Sequence, residues 1–169
     1  MTDYTQNARS VINGFLWDQL KENSILLEND YRPDGFTKHL IPIVPAQEVP
    51  EFNNLLPNKS YIIYDYEVEG YSDDWWVCHE LMTYTIISSE YSKVSEIIEF
   101  MIDLFRRTDI SGQEIQAFNP KSDLIKFYTV NLDSASSPAP FDMEGGRMMA
   151  VVEISYKYSR IVGDSGRFS

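Results

Sequence analysis

Cys78 and His79 sit side by side. With His39 they are the residues best suited to nucleophilic or metal chemistry in a 169-residue chain with one cysteine and two histidines. A reactive thiolate needs a neighbouring base or cation, and zinc needs four converging ligands. Residues 75–88 read as a strand, where adjacent side chains point to opposite faces. Cys78 and His79 therefore cannot share a proton or a metal, and Cys78 reads as a small hydrophobe. His39 lies beside Lys38 in a proline-rich stretch, and no sequence feature supplies the partner that a general base requires. Glu69, Asp73 and Asp74 cluster at a turn but offer fewer oxygens than calcium or magnesium demands. Asp65 and Glu80 are the carboxylates an enzyme would have to bring to a histidine, and their spacing gives no reason to expect it. The chain lacks GxSxG, P-loop and GxGxxG motifs. The expectation is no enzyme: no catalytic, cofactor-binding or metal-ligating residues, and no cofactor.

The elements that would position these residues follow from hydrophobic period. Thr5 to Asn23 predicts an amphipathic helix with Ala8, Val11, Ile12, Phe15, Leu16 and Leu20 on one stripe. Arg9, Asn13, Asp18 and Lys21 are then free to face water, and Gly14 weakens the helix slightly. Between Tyr31 and Lys59 lie Pro33, Pro42, Pro45, Pro50 and Pro57. HLIPIVPAQEVPEF is therefore expected to form neither a regular helix nor a central strand, with at most a short extended piece at Leu40–Val44 on an edge. SYIIYDYEVEG reads as a strand, with Ile62, Tyr64, Tyr66 and Val68 opposed to Asp65, Glu67 and Glu69. It pairs across GYSDD with a second strand, Trp75–Ser88. Ser92–Arg107 predicts a helix striped by Val94, Ile97, Ile98, Met101, Ile102 and Phe105, capped by Ser89 or Ser92. Thr108–Ser122 reads as loop, Asp123–Leu132 as a strand, DSASSPAPFDMEGG as a long flexible loop, and Arg147–Tyr158 as the last strand.

The predicted class is α+β: a mainly antiparallel sheet of about four strands with two main helices packed on it. One domain is expected across 1–169, divided into a helix and proline-rich segment 1–60, a sheet–helix core 61–160 and a frayed tail 161–169. Hydrophobic residues make up 43%, enough for a core, and aromatics 14%. The eleven tyrosines suit half-buried strands and protein contacts. A net charge of −12 opposes a grip on DNA phosphates and on anionic membranes. The first residues, MTDYTQNARS, lack signal-peptide character, and no apolar run approaches the ~18 residues of a membrane span. A reducing compartment fits the single cysteine.

Four residues are the candidate interface anchors. Trp75 and Trp76 follow the turn, where one ring can enter the core while the other faces outward or lies under the proline-rich segment. Phe141 and Met143 give the long loop something apolar to bury on a neighbouring subunit; a disordered connector is the alternative.

Taken together, YIIYDYEVEG, WWVCHELMTYTIISS, the helix YSKVSEIIEFMIDLFRR, LIKFYTVNL and RMMAVVEISYKY resemble the tail terminator, or tail completion and neck, proteins of tailed bacteriophages. The resemblance spans Tyr61 to Tyr158 and is one of organisation. It implies a virion structural protein, made in the bacterial cytoplasm, whose copies form a ring, hexameric in that family. Such a ring ends tail-tube polymerisation and joins tail to head. The implied partners are further copies of the chain, the tail tube protein and head–tail connector or neck proteins. DNA would pass through the lumen without specific binding. The alternatives are another connector subunit, or a small ligand-binding or regulatory α+β module.

Overall fold

The computed structural model describes residues 7–71, 77–111, 125–142 and 145–160. Three α-helices run over Ala8–Glu22 (α1), Val49–Leu55 (α2) and Tyr91–Ser111 (α3). Six strands run over Ile43–Pro45 (β1), Tyr61–Tyr71 (β2), Cys78–Ser88 (β3), Ile125–Ala135 (β4), Ala139–Asp142 (β5) and Arg147–Arg160 (β6). They form one mixed sheet in the order β1-β2-β3-β6-β4, with β5 also paired to β6. β1 is parallel to β2 and every other pair is antiparallel. The α+β class stands as expected, with two more strands and one more helix than the sequence suggested.

The additions lie where proline and glycine had argued for irregular chain. Pro50 occupies the first turn of α2, where a missing N–H breaks no helical bond. β1 forms at the sheet edge and overlaps the expected Leu40–Val44 piece at Ile43 and Val44. Within the stretch read as a long flexible loop, residues 133–142 fold back on their own chain, because Ser136 exchanges bonds with Val151 and β5 continues the line of β4 along β6. α3 runs four residues past Arg107, to Ser111, into the stretch read as loop. The predicted tail from 161 lies outside the described residues.

Alternation assigns the faces. Glu80, Met82, Tyr84 and Ile86 of β3 share one face with Val152, Ile154 and Tyr156 of β6. α1 and α3 cover it: Tyr84 donates to Asn13 Oδ1 of α1 at 2.6 Å and stacks on Phe105 of α3 at 6.3 Å. Asn13, expected to face water, is buried, because a tyrosine hydroxyl inside the core needs an acceptor. On the opposite face α2 lies against one end, where Phe52 packs on Tyr61 at 5.6 Å. Farther along, that face carries Asp65, Glu67, Leu81, Thr83, Glu153 and Ser155, and among the described residues no helix lies over it.

Candidate functional site

α1 is fastened to the sheet by a buried carboxylate. Glu80 is only 3% exposed. Arg9 Nη1 reaches its Oε1 at 3.1 Å, Tyr156 donates to the same oxygen at 2.7 Å, and Tyr158 donates to Oε2 at 2.6 Å. The Arg9 guanidinium also lies 3.7 Å from the centre of the Tyr66 ring. Arg9 thus turns inward rather than into water. A buried charge is tolerated only when it is paired and its remaining lone pairs are satisfied, and this cluster meets both conditions. Three donors occupy the carboxylate, which suits it to a structural tie.

Burial pushes the Tyr31, Tyr84, Tyr156 and Tyr158 hydroxyls well above their usual range, and Glu80 raises the last two further. A folded-state pKa raised above the unfolded value of 10.0 contributes stability that is present below that value and is lost as pH rises. An alkaline titration followed by phenolate absorbance tests this. The Tyr31, Tyr84, Tyr156 and Tyr158 hydroxyls should ionise only together with loss of near-ultraviolet circular dichroism. Phenolate absorbance following one simple curve while the fold persists would contradict this.

The strand β2 continues past its cover. β1 pairs with it only at Ile62–Tyr64, so the outer edge from Asp65 to Tyr71 has no strand partner among the described residues. Tyr66 and Val68 are 45% and 52% exposed on one side of this segment, and Asp65 and Glu67 are exposed on the other. The Ile62 N–H points outward, to Pro42 O at 2.8 Å, so period two also turns the Tyr66 and Val68 N–H groups outward. Asp65 Oδ1 takes the Tyr66 N–H at 2.9 Å, partly blunting the edge. At the far side of the sheet, β4 and β5 form the other terminal strand line.

Several sequence expectations can be located. Phe141 is 42% exposed on β5, with the Arg147 guanidinium 5.2 Å from its ring centre. Trp75, Trp76 and Met143 lie outside the described residues, as do Asp73 and Asp74. Cys78 and His79 take opposite faces, and so do Glu80 and Asp65, which keeps those two carboxylates apart. His39 has a partner the sequence did not specify: Nδ1 lies 3.0 Å from Glu28 Oε1, at the surface. On the face without a helix, His79 Nε2 and Thr129 Oγ1 are buried with no hydrogen-bond partner among the described residues, in one row on either side of Lys157. Among the described residues no group of three or more His, Cys, Asp or Glu could hold a metal. No helix among them is long and apolar enough to cross a membrane. Sequence reasoning missed the Glu80 cluster; its available signal was a carboxylate at an inward strand position, matched by two tyrosines at inward positions of another strand. No protein-family model matches the chain, and no curated protein matches it.

Proposed function

We propose that the protein is a ring-forming structural subunit of a tailed-phage virion, a tail terminator or a close neck relative. The observation that carries this reading is the sheet's two terminal strand lines. One is the outer edge of β2 from Asp65 to Tyr71, which has no strand partner among the described residues; the other is β4 with β5 on the opposite side. Two different edges on one subunit allow head-to-tail joining, and a constant rotation between subunits closes such a chain into a ring. The uncovered sheet face supports the same reading. It carries Asp65, Glu67 and Glu153, and Asp133 joins it through a bond from Ser155 Oγ at 2.9 Å. A lumen lined with such carboxylates would let DNA pass without holding it. The ring would cap the tail tube, stop its growth and present its other surface to the head or connector.

Val68→Pro tests the joint directly. The Val68 N–H points away from β3, so proline removes an edge donor while sparing the β2–β3 ladder. The expected result is an unchanged far-ultraviolet spectrum with loss of self-association by sizing and light scattering. A variant that assembles as the parent does would rule out this edge as the joint.

A further inference from the structure

The half-buried cations of this acidic chain are mostly matched. Arg9 pairs with Glu80, Lys21 with Asp18, Lys93 with Glu96 and Arg147 with Asp142. Lys59 is also half-buried, yet it has no carboxylate or hydrogen-bond partner among the described residues. It stands in the wall of a cleft of about 350 Å³ between the end of α2, the start of β2 and the residues Asp142, Gly145 and Arg147. A second cleft of about 300 Å³ shares Asn58, Lys59 and Ser89 with the first.

The rest of the wall is fixed. Arg147 donates through Nε and Nη2 to Asp142 Oδ2 at 3.0 and 2.7 Å, and its backbone N–H donates to Oδ1 at 3.1 Å. This ion pair holds the Asp142 carboxyl below its usual range. A Cβ at Gly145 would lie 2.6 Å from the Asp142 carboxylate oxygens, so a side chain there would push on the group that holds Arg147. Asp142 is thereby committed to Arg147 and leaves Lys59 without a counter-charge among the described residues. Tyr61, 2% exposed, accepts from Arg147 Nη1 at 3.2 Å, and its own proton has no acceptor among the described residues. Asn58 holds a left-handed φ of 63°, which asparagine tolerates better than most residues, and so sets the chain direction into Lys59.

We infer that this cleft binds a small oxyanion, the phosphate or carboxylate group of a small molecule. Lys59 supplies the charge, the Tyr61 hydroxyl supplies a donor on the floor, and Asn53, Asn58 and Ser89 supply polar groups at the rim. The volume lies near the lower end of small-molecule sites, and the adjoining cleft leaves room for the remainder of such a ligand. The inference does not rest on ring assembly: the Asp65–Tyr71 edge is absent from the cleft, and Asp142 at the end of β5 enters it only as the partner of Arg147.

The test uses the full chain with inorganic phosphate and, separately, acetate, each against sodium chloride at matched ionic strength. The expected result is a saturable rise in melting temperature, with amide chemical-shift changes centred on Asn58, Lys59 and Tyr61. Lys59→Gln should weaken binding at least about tenfold, as loss of a charge-assisted hydrogen bond does, and Lys59→Arg should retain it. Tyr61→Phe, which keeps the ring packing, should weaken it several-fold, and Lys38→Gln on the exposed loop should leave it unchanged. Tighter phosphate binding assigns the site to phosphoryl groups, and tighter acetate binding assigns it to carboxylates. An equal effect of chloride, no saturation with either anion, or an undiminished response in Lys59→Gln would overturn the inference.

Discussion

Replacing Glu80 by alanine is expected to destabilise the protein by on the order of 3–5 kcal/mol, the usual effect of removing one partner from a buried ion pair. The reason is the state in which its partners are left. Arg9, with its side chain 20% exposed, loses its carboxylate. The Tyr156 and Tyr158 hydroxyls, which donate to Glu80 at 2.7 and 2.6 Å, lose their acceptor inside the fold. Desolvation makes each of those losses larger than the same bond would be worth in water. Glu80→Gln should cost less, because its single amide oxygen can still accept from one of the two tyrosines. Urea denaturation followed by far-ultraviolet circular dichroism measures both. If alanine costs under about 1 kcal/mol, the value typical of an exposed ion pair, Glu80 does not tie α1 to the sheet.

Phe105→Ala is expected to cost about 3–5 kcal/mol for a different reason, the cavity left when a large buried ring is deleted. Phe105 is fully buried on α3 and stacks on Tyr84, which in turn donates to Asn13 of α1. The ring therefore sits where α3, the central strand β3 and α1 meet, and little can collapse inward to fill its space. Phe105→Leu keeps most of the volume and should cost clearly less. A small loss for alanine would mean that the helices close over the cavity and that this contact does not organise the layer.

These two residues differ in how far the sequence announced them. Phe105 belongs to the Val94–Phe105 stripe, and helical period alone places it inward. The α3 helix, the β2–β3 pair and the closing strand were legible for the same reason, because each buries a regular stripe. Glu80 was singled out only as a carboxylate that an enzyme would have to bring to a histidine. Its cluster joins residues more than seventy positions apart, and no local pattern encodes that meeting. The proline-rich segment was misread where position within an element decided the outcome. Pro50 forbids a helix interior but suits a helix start, and α2 uses it there. The 133–146 loop looked like an arm by composition, yet register with β6 places β5 on its own chain. The unpaired length of β2 was invisible because it depends on where β1 stops pairing, at Tyr64. The Lys59 cleft arises from three segments distant in sequence, so composition gave no sign of it.

Ring formation is the central claim, and negative-stain imaging of the purified protein, taken across a concentration series with light scattering on the same samples, tests it most directly. The account predicts closed particles of uniform diameter with a central hole, whose mass is a fixed multiple of the subunit. A compact monomer at every concentration, which also fails to assemble on added tail tubes, would contradict it.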